Sequence, residues 1–146
     1  MPNFAQIVVM TSIKAVWKEG MQFEADAPGG KIKLDAADDF GGLGKGNRSK
    51  PLMLVALAGC TGIDVVSILN KMQVPTGGFS LEVEAEPSDE HPKIYKKTHI
   101  VYRFKSDEKH REKIERAVDL SFNKYCGVVA MFKAFSVVTK EIVFEA

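Results

Sequence analysis

The chain has 146 residues, 45% of them hydrophobic and 27% charged, and these proportions predict a single globular domain over residues 1–146. A formal net charge of +1 gives no general attraction for nucleic acid or for an anionic membrane surface. Two cysteines exclude a secreted disulfide framework, and the first residues lack the pattern of a signal peptide, so we expect a cytoplasmic protein.

The first part of the chain alternates apolar and polar residues, a pattern typical of β-strands. We interpret residues 3–35 as extended structure, with turns at Glu19-Gly20 and at Pro28-Gly29-Gly30. The stretch from Asp38 to Ser49 contains four glycines and predicts a loop. Its glycine spacing matches neither the phosphate-binding pattern G-x-x-x-x-G-K-[ST] nor the dinucleotide-binding pattern G-x-G-x-x-G. We therefore expect a flexible loop over a site or a plain connection.

The most prominent feature is a nearly uninterrupted apolar run from Ser49 to Met72, which predicts one long helix. Its length is that of a membrane span, but Asp64 and Lys71 lie inside it and amphipathic strands flank it. These features favour a central core helix. Because the helix is apolar nearly all round, we expect sheets to cover it from several directions, with a second copy of the chain supplying part of the cover.

The rest of the chain predicts two strands, two helices and a final strand. Residues 79–86 and 94–104 alternate with period two and are expected to pair as a hairpin. A helical period begins at Asp107, and a second helical stretch covers residues 125–135. Residues 136–144 read as a strand. This order predicts an α+β fold built on an antiparallel sheet.

The polar residues of the long helix share one stripe at helical spacing. They are Cys60, Asp64, Ser67 and Lys71. Two glycines, Gly59 and Gly62, lie beside the cysteine and indicate the close approach of another backbone or of a substrate. From this pattern Cys60 is either a nucleophile or a small buried hydrophobic residue.

The second thiol, Cys126, follows Lys124 at the start of the last helical stretch. A helix N-terminus and a nearby cation both lower the pKa of a thiol, so we expect a lowered pKa for Cys126. An inert thiol in a turn is the alternative. The two cysteines are 66 positions apart, which excludes a C-x-x-C motif.

The three histidines, His91, His99 and His110, have none of the spacings of a zinc site. We therefore predict surface histidines, with no metal and no other cofactor.

Two segments around the cysteines resemble a known family. They are PLMLVALAGCTGIDVV at 51–66 and SFNKYCGV at 121–128. Together they resemble the OsmC/Ohr family of thiol-dependent hydroperoxide reductases, and most closely the OsmC-like branch described as predicted redox proteins.

The resemblance implies an OsmC-like fold, an intertwined homodimer with sites at the subunit interface, and a role in oxidative stress defence. It implies that Cys60 attacks the peroxide oxygen and becomes a sulfenic acid. Cys126 then condenses with it to a disulfide, which a dithiol reductant reduces. An apolar pocket would favour organic hydroperoxides, and Met53, Met131 and Phe132 are candidates to line it.

One part of the family pattern is missing. The family's peroxidases pair the thiolate with an early-strand arginine that is held by a helix glutamate. Here Lys50 and Pro51 occupy those helix positions and no arginine precedes Arg48, which leaves Arg48, Lys50, Lys14 or Lys18 as candidate cations. We therefore expect weaker or differently directed peroxidase activity. The alternatives are a thiol-disulfide redox protein and a dimer that binds a small apolar ligand.

Overall fold

The computed structural model of the protein describes residues 8–146. The chain divides into two compact units, the first ending at Leu52 and the second running from Met53 to Ala146. The single domain over residues 1–146 stays a prediction.

The first unit contains a three-stranded antiparallel sheet. Its strands are β1 (Lys14–Glu19), β2 (Gln22–Ala27) and β3 (Gly30–Leu34), in the order β1-β2-β3. The predicted turns between them are confirmed. The extended region was predicted too long, because residues 8–13 belong to no strand, and residues 3–7 lie outside the described part of the chain.

The glycine-rich stretch is a tight connection held by Asp35. The Asp35 carboxylate accepts backbone N–H bonds from Ala36 at 2.9 Å, Leu43 at 3.0 Å and Lys45 at 3.1 Å. The donor at Leu43, followed by that at Lys45, holds the pKa of Asp35 below its usual range. A Cβ at Gly42 would overlap the carbonyl oxygen of Ala36, so this position requires glycine.

The second unit combines helices with a mixed sheet. Its elements are α1 (Ser49–Lys71, whose first residues belong to the first unit), β4 (Ser80–Pro87), β5 (Tyr95–Lys105), α2 (Arg111–Leu120), α3 (Gly127–Lys133) and β6 (Val137–Glu145). A π-helical turn, Ser121–Tyr125, continues α2 as far as Cys126.

The sheet order is β4-β5-β6, and the predicted hairpin of β4 with β5 is confirmed. The prediction of a wholly antiparallel sheet is wrong at β6, which runs parallel to β5. The chain between β5 and β6 crosses over through α2 and α3. This long connection allows the parallel pairing, because a short turn cannot join two parallel strands. The α+β class is confirmed.

One face of α1 packs into the core of the second unit. Leu57, Val65 and Leu69 are fully buried, whereas Val55 and Ile63 are 63% and 72% exposed. Within the second unit, α1 is therefore buried on one side and not on several. Among residues 8–146, α1 alone is long and apolar enough to cross a membrane, a test that the core helix of a soluble protein also passes.

The two glycines of α1 have different surroundings. A Cβ at Gly62 would lie 2.7 Å from Cδ1 of Leu81 on β4, so this glycine permits close packing of helix and sheet. At Gly59 nothing lies within 4 Å of that position. A close approach does occur at Gly62, but it is made by a side chain and not by the backbone or substrate that the sequence indicated.

Candidate active site

The fold brings the two cysteines together at the junction of α1 and α3. Cys60 lies on α1, and Cys126 is the N-cap residue of α3. Their sulfur atoms and a carboxylate oxygen of Asp64 all lie within 4.8 Å of one another. Asp64 is one turn after Cys60 on the same face of the helix. The site is therefore a thiol pair with a carboxylate beside it.

Cys126 is the buried member of the pair, with 4% of its surface exposed. Its sulfur accepts the N–H of Val129 at 3.4 Å, as an N-cap does. Burial, followed by the hydrogen bond with Cys60, raises the pKa of the Cys126 thiol to about 11.

The predicted lowering of the Cys126 pKa is wrong for two reasons. Helix α3 has only seven residues, so its N-terminal dipole stabilises a thiolate weakly. The free-energy cost of desolvating the thiolate is larger. The ammonium of Lys124 lies over the ring of Tyr125, 5.2 Å from its centroid.

Cys60 is half-buried and is the more accessible thiol of the pair. A solute that reaches the pair meets Cys60 before Cys126.

A chain of buried hydroxyl groups leads to the Asp64 carboxylate. The Tyr102 hydroxyl lies 2.7 Å from Oγ1 of Thr61, which lies 2.8 Å from Oγ of Ser121. Ser121 in turn donates to Oδ2 of Asp64 at 3.3 Å, with the carbonyl of Thr61 as a second acceptor at 3.4 Å. Tyr102, Thr61 and Ser121 are fully buried. Burial raises the pKa of Tyr102 to about 12.

Sequence reasoning did not select these three hydroxyl residues. Thr61 and Ser121 stand inside the two segments that carry the family resemblance, next to Cys60 and five positions before Cys126. That placement was the available signal. Tyr102 is part of the alternating apolar pattern of its strand, and nothing in the sequence indicated a role at the site.

A cleft of about 560 Å³ opens beside Asp64. Its walls comprise Asp64, Ser67, Ile68, Lys71, Met72, Arg116, Leu120 and Tyr125. Three of the four residues of the predicted polar stripe line it, so that part of the prediction is confirmed. Lys71 and Arg116 place positive charge in the cleft beside apolar side chains.

The residues predicted to bind substrate lie elsewhere. Phe132 is 2% exposed and belongs to the core, whereas Met53 and Met131 are exposed on the surface. None of the three lines the cleft beside Asp64. Their role in binding stays a prediction, as does the choice of an activating cation from the first unit.

Within residues 8–146, one group of side chains is close enough to share a metal ion, namely Cys60, Asp64 and Cys126. Two thiolates and a carboxylate form a donor set that soft divalent metals accept. The histidines contribute nothing to it. His99 hydrogen-bonds to Thr139 at 2.7 Å on the outer face of the sheet.

Comparison with known proteins identifies the family of the chain. The model of the OsmC-like protein family matches residues 42–141. Protein YhfA of Escherichia coli K12 is 31% identical over 118 residues, which cover 80% of this chain and 85% of that protein.

Solved structures share the fold. A hypothetical protein from Aquifex aeolicus superposes with a TM-score of 0.77 at 26% identity, covering 95% of this chain and 100% of that one. A Legionella pneumophila protein described as an organic hydroperoxide resistance protein OsmC and predicted redox protein gives a TM-score of 0.67 at 16% identity, covering 94% and 99%. The chain belongs to the OsmC-like protein family.

Proposed function

We propose that this protein reduces organic hydroperoxides through Cys60 and Cys126, as a cytoplasmic homodimer in oxidative stress defence. The observation that carries the proposal is the approach of two sulfur atoms to within 4.8 Å from positions 66 residues apart in sequence. Membership of the OsmC-like family and the description of the Legionella relative support the same chemistry.

The reaction has two steps in the protein. The sulfur of Cys60 attacks the outer peroxide oxygen, the O–O bond breaks, and an alcohol leaves, so that Cys60 becomes a sulfenic acid. The sulfur of Cys126 then attacks the sulfur of Cys60, and water leaves as the disulfide forms. A dithiol reductant returns the pair to thiols and is itself oxidised to a disulfide.

The different burial of the two thiols supports this division of roles. Cys60 is half-buried and reachable, whereas Cys126 is 4% exposed and placed to meet only its neighbour. Burial also raises the pKa of the Cys126 thiol to about 11, which keeps it protonated and protects it from oxidation until a sulfenic acid forms beside it.

The homodimer is proposed because α1 leaves apolar side chains exposed. Val55 and Ile63 are 63% and 72% exposed on a helix whose opposite face is in the core. A second copy of the chain would cover this surface, as the resemblance implies.

Thiol counting tests the function. Reduced protein, with a chelator present to exclude metal-catalysed oxidation, is mixed with cumene hydroperoxide and its free thiols are titrated. We expect a loss of two thiols per chain in the wild type, and no loss beyond the unreacted control in Cys60→Ser. In Cys126→Ser we expect Cys60 to be oxidised further, to the sulfinic acid.

The same experiment separates the alternatives. A thiol pair that ignores hydroperoxide but is oxidised by a small disulfide would identify a thiol-disulfide redox protein. A pair that both oxidants leave untouched would contradict any redox function and favour a protein that binds a small apolar ligand.

A further inference from the structure

The carboxylate of Asp64 is held at the thiol pair by a directed chain of donors. Ser121 has a single hydroxyl hydrogen, and when it donates that hydrogen to Asp64 it accepts from Thr61, which in turn accepts from Tyr102. All three hydroxyl residues are fully buried, so none of them is in contact with bulk solvent. A buried network of this kind fixes the position of the group at its end.

Asp64 is a group of the opposite charge from the arginine that the family's peroxidases place at the thiolate. A carboxylate within 4.8 Å of both sulfurs does not stabilise a thiolate, since like charges repel. It does accept a proton. The Cys60 thiol must lose a proton to attack, and the alkoxide that leaves an alkyl hydroperoxide must gain one.

We propose that Asp64 is a catalytic residue that carries this proton, from the Cys60 thiol to the departing alcohol oxygen. This inference rests on the proposed hydroperoxide reductase function. The Cys60 sulfur forms a bond to the outer oxygen of ROOH, the O–O bond breaks, and the RO⁻ group takes the proton that Asp64 received. The products are Cys60 sulfenic acid, ROH and the Asp64 carboxylate, so atoms and charge balance.

Two features of the site fit this role. The cleft of about 560 Å³ beside Asp64 gives the leaving alcohol a route to solvent. Ser121, with the hydroxyl chain behind it, donates a hydrogen bond to the carboxylate and so holds it beside the thiol pair. Ser121 acts through Asp64 and is a positioning residue.

Asp64→Asn tests the proposal, because it keeps the size of the side chain and removes the proton acceptor. At pH 7 we expect the rate constant of Cys60 oxidation by cumene hydroperoxide to fall about 100-fold. Alkylation of Cys60 by iodoacetamide should be unchanged or faster. Solvent can take the thiol proton before the slow alkylation step, iodide needs no proton to leave, and the negative charge near the thiol has gone. Glu115→Gln, an exposed change on α2 that also removes one carboxylate, is the matched control and should change neither rate.

The leaving group gives a second readout that a merely structural role would not move. With peracetic acid the departing acetate needs no proton, so the deficit of Asp64→Asn should shrink to a few-fold. Should Asp64→Asn not fold, as judged by circular dichroism, Ser121→Ala and Asp64→Glu replace it. We expect Ser121→Ala to slow cumene hydroperoxide reduction about tenfold without slowing alkylation, and Asp64→Glu to keep part of the wild-type rate.

The outcomes separate the inference from the function beneath it. Wild-type protein that reduces hydroperoxide, with Asp64→Asn equally fast or faster, overturns the proton transfer and leaves the reductase intact. Equal slowing of peroxide reduction and alkylation would also overturn it, because a distorted site would then be the cause. Wild-type protein that reduces no hydroperoxide overturns both.

Discussion

At the scale of single residues, the site joins a half-buried thiol, a buried thiol and a carboxylate within 4.8 Å of one another. Helical spacing predicted that Cys60 and Asp64 share a face, and the structure places the carboxylate beside the sulfur. The sequence neighbours of Cys126 predicted a lowered pKa, yet burial raises it. Cys126 is buried in a core cluster whose members, such as Leu57 and Tyr102, come from distant parts of the chain, so the local sequence does not predict this burial.

The buried Tyr102 predicts a pH dependence of stability. Burial raises its folded-state pKa to about 12, above the value of about 10 expected in the unfolded chain. Its contribution is therefore complete below pH 10 and is lost as the pH rises through 12. We expect this to cost about 1 kcal/mol of unfolding free energy between pH 9 and pH 11.

Urea unfolding at the two pH values measures that loss. In Tyr102→Phe the tyrosine contribution disappears, so the variant should lose about 1 kcal/mol less than the wild type. Cys126→Ser is the control. It removes the other group with a raised pKa and should still show the loss of unfolding free energy that comes from Tyr102. An equal loss in wild type and Tyr102→Phe would contradict the assignment.

At the scale of elements, hydrophobic period and turn residues predicted the order of strands and helices and the α+β class. They did not predict that β6 lies parallel to β5, because the direction of a strand depends on the path of the crossover helices. A π-helical turn at Ser121–Tyr125 precedes Cys126, and the hydrophobic periodicity of the sequence did not predict this turn either. The position of Cys126 in the site thus depends on a turn that local sequence patterns do not predict.

The glycine-rich connection after β3 gives a prediction at this scale. A Cβ at Gly42 would overlap the carbonyl oxygen of Ala36, whereas nothing lies within 4 Å of the same position at Gly29. We expect Gly42→Ala to reduce the unfolding free energy by about 2 kcal/mol, the range of overpacking changes. Gly29→Ala, the matched control, should stay within about 0.5 kcal/mol of the wild type in urea unfolding. Equal effects would contradict the close packing of this connection.

At the scale of the whole molecule, the apolar run of α1 predicted more cover than one chain supplies. Ile63 is 72% exposed on this helix, although the other face is fully buried. Composition and periodicity predict that such a helix needs cover, but they do not say which surface supplies it. In the proposed homodimer, the second copy of the chain supplies this cover.

Ile63→Glu tests the homodimer by placing a charge on that surface. We expect the wild type to sediment as a dimer and Ile63→Glu as a monomer at micromolar concentration, because burying an unpaired carboxylate is costly. Val137→Glu, at a position 64% exposed on the edge strand β6, is the control and should remain a dimer. A monomeric wild type, or equal dimerisation of all three proteins, would contradict the proposed interface.

The central claim is that Cys60 and Cys126 reduce an organic hydroperoxide as a pair, and a single turnover tests it most directly. Reduced protein is mixed with one equivalent of cumene hydroperoxide, the cumyl alcohol is quantified, and the digested protein is analysed by mass spectrometry. We predict one alcohol per chain and one disulfide that joins the Cys60 and Cys126 peptides. Intact hydroperoxide with both cysteines still open to alkylation would contradict the claim.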